Sequence, residues 1–428
     1  MKKLESDSKK LENYFSSCAL FLCGFLTVLI PSGYFISYTF SSCLGLFFCF
    51  KNPADFWCFF KKLKLIWIGF VIFFLTQIAT AYLHGDHLAR LIDSESRYLA
   101  APFIAFTAYK CKSSLKVFLY AICIGLAGLF LCALFQKILL GYERASGFTH
   151  PIQYGNLSLF LSIACFSFYG IAKSLKEKKL ILSLLITGTL GIITSLLSIS
   201  KGGWICIPIF TTLLIYYYYK KEFIDKKNIF IILMSLSALV SLLFSVPQTK
   251  IYSRLYEANI ALRSNFTEDF SDNSTSIRWY LFLSAIEMIK EKPFLGCGKG
   301  GYFEKKQSWV LEKKYPEYIK KYTHPHNELL NVWVKGGLVL LLALLCLYLY
   351  PFVFFYKSYK KNHIGIEEKY LAFFGMLIPV SFFLFGLSQC FLLHNSARLT
   401  FITFISVSAG LVIRNSSDLI KEPISIYS

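Results

Sequence analysis

Residues 332–356 read VWVKGGLVLLLALLCLYLYPFVFFY, twenty-five positions with one charged residue, Lys335. The apolar side chains do not alternate with polar ones, as they would along a half-buried strand. The run also exceeds the roughly 20 residues a helix needs to cross the hydrocarbon of a bilayer. Ile66 to Thr80 and Leu115 to Leu134 repeat the pattern. Over all 428 residues the hydrophobic content is 55%, the charged content 16% and the mean hydropathy +0.53. That apolar supply is more than one soluble core can bury, so much of it must face lipid. The sequence therefore predicts an all-α polytopic membrane protein.

Twelve spans are expected, at 14–31, 33–50, 64–83, 97–110, 115–138, 151–172, 180–198, 203–219, 228–246, 330–356, 369–390 and 397–413. The basic N-terminus (Lys2, Lys3, Lys9, Lys10) precedes an apolar run without a small-residue cleavage site, and is expected to be retained as the first helix. The net charge of +20 would point to nucleic acid in a soluble protein, but here the lysines cluster between apolar runs. One set of loops holds Lys51, Lys61 and Lys62; Lys110 and Lys112; Lys173, Lys176, Lys178 and Lys179; Lys220, Lys221, Lys226 and Lys227; and Lys357, Lys360 and Lys361. By the positive-inside rule this set and both termini are cytoplasmic, and no nucleic-acid partner is expected. The alternate loops carry little positive charge. Among them is the one long polar segment, so the chain divides into nine helices over 1–246, an outer lid over 247–329, and three helices with a short tail over 330–428. Within the lid, Ser274 or Thr275 can cap a helix through Trp279, Phe282, Ile286 and Ile289 that Pro293 and Gly296 would end. The cysteines that lie in or beside apolar runs lack zinc-type spacing and read as small apolar fillers.

The unusual residues fall on the outer side. Arg97, Arg144, His150, Lys201, Arg278, His324, His326, His394 and Arg398 all lie in outer loops or at outer helix ends, a grouping that suits an anionic ligand. Arg144 can fork onto phosphate oxygens, or snorkel beside Glu143. Lys201, before Gly202-Gly203, sits on a turn where backbone can approach a phosphate; its other role is as a hydrated turn residue. Arg278 stands in the first turn of the lid helix. In Thr323-His324-Pro325-His326-Asn327-Glu328, Pro325 disfavours helix before it and places His326 at a helix start. There an imidazole stays neutral and can accept a proton, or simply caps the helix. Two histidines around a proline without acidic or thiolate ligands make a poor metal site, and no metal or cofactor is expected.

These motifs resemble those of the O-antigen ligases and the related polymerases and O-oligosaccharyltransferases, over most of the chain. Similar proteins have a serine-rich turn with a basic residue, an Arg before Trp followed by Gly-x-Gly, and a His-Asn pair opening the next helix. Here these look like Ser198-Ile199-Ser200-Lys201, Ser276-Ile277-Arg278-Trp279 with Gly296-Cys297-Gly298, and His326-Asn327. Nine residues separate Asn327 from Gly337, as in the ligases; Leu340 and the Lys at 201 depart from the family pattern. Ten residues separate Arg144 from Gly155, a polymerase-like spacing.

The resemblance implies transfer, with inversion, from an undecaprenyl-pyrophosphate glycan to lipid A-core on the periplasmic face of the inner membrane, with O-antigen polymerase or protein O-oligosaccharyltransferase as the alternative within the same superfamily. His326 would be the base and Lys201 and Arg278 would stabilise the leaving diphosphate. Arg144, His324, Asn327, Gly296 and Gly298 would shape the substrate site. The rival classes are a small-solute transporter and a flippase. Few mid-span charges and no internal repeat speak against the first, and a cation set confined to one face speaks against the second.

Overall fold

The computed structural model describes residues 2–221 other than 28, 113 and 114, then 223, 225 and 227, then 274–361 and 365–421. Among them every regular element is helical. The expected span at 228–246 and the start of the lid lie outside the described residues.

The first half contributes Lys2–Phe25 (α1), Gly33–Lys51 (α2), Pro53–Leu83 (α3), the short Leu88–Glu95 (α4), Ala101–Lys110 (α5) and Leu115–Leu134 (α6). Pro151–Ser167 (α7), Tyr169–Ser174 (α8), Lys178–Leu197 (α9), the single turn Lys201–Trp204 (α10) and Cys206–Lys220 (α11) follow. The lid supplies Ser274–Glu291 (α12) and Gly298–Leu311 (α13). Glu328–Tyr359 (α14), Ile366–Gly386 (α15) and Asn395–Lys421 (α16) close the bundle.

Eight of the described helical stretches are long and apolar enough to cross a membrane, against the eleven expected spans that fall on described residues. The difference has physical causes. Charged residues Lys2, Lys3, Glu5, Asp7, Lys9, Lys10 and Glu12 occupy the first half of α1, while α5 has ten residues and α11 fifteen. The stretch Asn395–Arg414 is enclosed on every side, and Pro151–Ser174 nearly so, which makes these the central staves.

The two ends of the bundle are tied differently. At one end the basic loops pair with scattered acids: Lys51 with Glu12, Lys110 with Asp55, Lys116 with Glu177 at 2.5 Å, while Arg414 reaches the Cys111 carbonyl. The opposite end carries the lid. It has a small core of its own, in which Ile277, Leu281, Ala285 and Met288 form one face of α12 and meet Tyr302, Trp309, Ile319 and Val334. Their spacing of three and four residues is what puts them on one helix face.

α14 joins lid to bundle. Its 32 residues would span about 48 Å as a straight helix, well beyond the hydrocarbon thickness. It breaks at Gly337, where φ is 69° and ψ −169°. The freed backbone groups are taken up by the lid: Leu338 N–H donates to the Pro293 carbonyl at 2.8 Å, and Cys297 N–H to the Val334 carbonyl at 2.9 Å. A broken helix survives at membrane depth only when such partners exist. The break leaves Glu328–Gly336 to the lid end and about 33 Å of helix, enough to cross a bilayer.

A Cβ at Gly337 would overlap the Phe294 carbonyl oxygen, and the φ is one that side chains resist. Gly337→Ala is expected to lose roughly 1–3 kcal/mol from backbone strain alone, with more from the collision. Gly365→Ala, at a position with open space around it, should be near neutral. Thermal midpoints of the detergent-purified variants measure both, and equal midpoints would contradict the clamp.

Candidate active site at the lid end of the bundle

His326 precedes the helix directly. Asn327 is the N-cap of α14, accepting from Leu330 N–H at 3.0 Å, while its amide donates to the Leu387 carbonyl at 3.0 Å. His326 itself has a φ of 53°, a left-handed conformation uncommon outside glycine. Two contacts hold it there. Its backbone N–H donates to His324 Nδ1 at 3.2 Å, and its ring Nδ1 lies 2.6 Å from Gln389 Oε1. With the amide oxygen as acceptor, Nδ1 carries the proton and Nε2 is left as the basic lone pair. The other end of Gln389 donates to His394 Nε2 at 3.3 Å, and the His394 ring lies 6.3 Å from that of His150. Four histidines thus share one patch.

At all four, the environment pushes the pKa down, towards the neutral imidazole. Burial pushes the His326 pKa down, against the pull of its Gln389 hydrogen bond, and the Arg278 charge pushes the same way, as a protonated His150 would. His324 is pushed down to about 3 and His394 to about 4, again chiefly by burial. His150 moves down by burial and the Arg144 charge. Desolvation, rather than the helix end, is thus the main push of His326 towards the neutral form.

The cations come from three directions. Arg278 lies in the first turns of α12, mostly buried, and makes no hydrogen bond or ion pair among the described residues; burial lowers its pKa. Lys201 opens α10, just after a turn in which Ile199 is left-handed at φ 54°. That conformation is a strain for a β-branched residue. Arg144 braces the turn, donating from Nε to the Ser198 carbonyl at 3.0 Å and from a terminal nitrogen to the Ile199 carbonyl at 3.5 Å. Ser198 and Ser200 hydroxyls bond each other at 2.8 Å, and Ser200 donates to the Pro151 carbonyl at 2.8 Å. The glycines make the fit: a Cβ on Gly202 would overlap Ser388 Oγ, and one on Gly155 would overlap Ser198 Oγ. Lys201 is thereby fixed one residue from the packing contact with Ser388, which neighbours Gln389.

The structure brings His326, His324, Asn327, Arg278, Lys201 and Arg144 to one region. Gly296 and Gly298 stand at the helix break instead, with nearest neighbours Lys335, Gly337 and His84. Two of the cations expected on the outer side have acids of their own, contrary to the expectation of an unmatched set. Arg97 pairs with Asp93 at 3.2 Å, and Arg398 pairs with Glu95 at 2.8 Å, both residues of the second pair under 5% exposed.

Sequence reasoning missed Gln389, Gln153 and Asn156. The last two lie in α7, are at most 1% exposed, and neither end of either amide has a hydrogen-bond partner among the described residues. Amides in an otherwise apolar span were the available signal. Gln389 lay at the end of an expected span and gave none.

The fold defines a multi-pass membrane protein with a cationic, histidine-bearing site at one end. The sequence profile of the O-antigen ligase family matches residues 186–345, a range that includes Lys201, Arg278, His324, His326 and Asn327. An uncharacterized protein of Haemophilus influenzae is 31% identical over 382 residues, covering 88% of this chain and 93% of that protein. The chain belongs to the O-antigen ligase family, whose activity is a ligase-type glycosyl transfer.

Because His324 and His394 titrate at about 3 and 4 when folded, and near 6.5 when unfolded, the unfolded chain binds more protons across that interval. Stability is therefore lost as pH falls from about 6.5 towards 4. The thermal midpoint should drop between pH 7 and pH 5, and His394→Gln should drop less over the same interval; parallel slopes would contradict buried neutral histidines.

Proposed function

We propose that the protein is an O-antigen ligase, moving a glycan from undecaprenyl pyrophosphate to a sugar hydroxyl of lipid A-core at the periplasmic face of the inner membrane. The observation that carries this reading is the meeting of two groups: a partly buried Arg278 with no hydrogen bond or ion pair among the described residues, and a His326 whose Nδ1 is tied to Gln389 and whose pKa burial pushes down. One group answers an anion and the other accepts a proton. The lysine-rich end of the bundle faces the cytoplasm under the positive-inside rule, which turns the lid outward.

The barrier in such a transfer is charge on the departing diphosphate and weak nucleophilicity in the acceptor. The acceptor hydroxyl gives its proton to His326 Nε2 as its oxygen bonds the anomeric carbon from the side opposite the diphosphate. The bond from that carbon to the diphosphate oxygen breaks, its electron pair stays on the leaving group, and the configuration inverts. Arg278 and Lys201 stabilise the charge as it develops, and electrostatic help of this kind is worth most where water is excluded. Arg144 holds the turn that presents Lys201, and Gln389 holds His326 in the tautomer with Nε2 free. His326 then passes its proton to water. No step in this scheme uses a metal or cofactor.

Purified protein in nanodiscs, given undecaprenyl-pyrophosphate glycan and lipid A-core, should form the coupled product. His326→Ala should lower kcat by roughly 10²- to 10⁴-fold, and Arg278→Gln should lower it with donor KM raised. Extension of the glycan on its lipid carrier would identify a polymerase. Solute uptake into vesicles without transfer would refute the transferase reading.

A further inference from the structure

A cavity of about 610 Å³ opens beside the site, and His326, Arg278, Lys201 and Arg144 do not line it. Its size falls in the roughly 300–1,000 Å³ range of small-molecule sites. The wall residues Thr323 and Asn395 each adjoin a histidine of the catalytic patch, His324 and His394. At its rim, the exposed Arg90 and Lys299 side chains make no hydrogen bond or ion pair among the described residues. Lys335, donating to the Thr323 carbonyl at 3.2 Å, adds a third positive charge. The acids in the lining are already engaged: Asp86 accepts the Lys299 and Gly300 backbone N–H groups at 3.0 and 3.2 Å, and Glu95 pairs with Arg398. Asn331 is a separate indication. It is 4% exposed, lines the cavity, and its side-chain oxygen has no hydrogen-bond partner among the described residues. A buried acceptor left unpaired is costly, and a sugar hydroxyl would satisfy it.

We propose that this cavity binds the acceptor as an acidic, hydroxyl-rich saccharide, separate from the cations that hold the donor diphosphate. Arg90 and Lys299 take its phosphate or carboxylate groups, Asn331 takes a hydroxyl, and the walls at Thr323 and Asn395 direct another hydroxyl towards His326. This rests on the transferase reading for the identity of the saccharide, while its binding is measurable without transfer.

The test uses the full chain in nanodiscs and deacylated lipid A-core oligosaccharide, native, phosphatase-treated or carboxyl-reduced, without donor. Wild type should bind the native saccharide. R90Q/K299Q should bind it at least tenfold more weakly, and should respond less than wild type to removal of whichever acid the site reads, phosphate or carboxylate. Asn331→Leu should weaken all three saccharides. In the transfer assay R90Q/K299Q should raise acceptor KM at least tenfold with donor KM within twofold, and thermal midpoints check that the variants remain folded. Unchanged binding in every variant, or a rise in donor KM instead, overturns the assignment. Wild type that binds the saccharide yet never transfers to it refutes the ligase reading and leaves the cavity's ligand class standing.

Discussion

The site depends on an ion pair withdrawn from water, Arg398 with Glu95. The guanidinium spends all three of its nitrogens: one on the Glu95 carboxylate at 2.8 Å, one on the Ser94 carbonyl at 2.9 Å and Nε on the Leu392 carbonyl at 3.1 Å. On the other side of the same turn, Glu328 accepts the Leu392 N–H at 2.8 Å. The segment that follows α15 is therefore clamped between α4, α14 and α16. Burying two charges is repaid only by such complete pairing, and removal of one partner from a pair of this kind costs about 3–5 kcal/mol. Gln389 and His394 sit on this clamped segment, so the orientation of His326 is inherited from this buried ion pair.

A second constraint acts on the backbone. Lipid offers no hydrogen bonds, so a helix may break at membrane depth only where protein supplies them. The lid does so at Gly337, and the same contacts attach the lid to the bundle next to the helix that carries His326 and Asn327. Strain gathers here as well. His326 and Ile199 are two of five non-glycine residues with positive φ among the described residues, and both lie in the patch that sequence motifs had marked. Such conformations persist where surrounding structure overdetermines them, and their coincidence with the histidine and lysine supports a site built for positioning.

How much of this was legible varies with range along the chain. The apolar runs disclosed the helices, and Pro325 disclosed that His326 would stand at a helix start, because both are local effects. The α12 helix over Ser274–Glu291 begins where its serine and threonine signal lies and ends just before Pro293. Fewer spans than expected meet the length needed to cross a bilayer among the described residues, because hydropathy does not reveal that α5 has ten residues and α11 fifteen. Gln389 with His326 spans 63 residues, and Arg398 with Ser94 spans 304. Pairings at that distance leave no trace in spacing, so Arg398 read as one more free cation. Gly296 and Gly298 read as a substrate motif, whereas their positive φ values are also what the close approach to Lys335 and His84 requires.

The most direct measurement is a structure of the protein in nanodiscs with undecaprenyl pyrophosphate bound. The account predicts diphosphate density within hydrogen-bond distance of Arg278 and Lys201, beside Nε2 of His326, with the lipid tail descending into the bilayer. Density instead at the opposite, lysine-rich end, or inside the bundle midway along the helices, would contradict it.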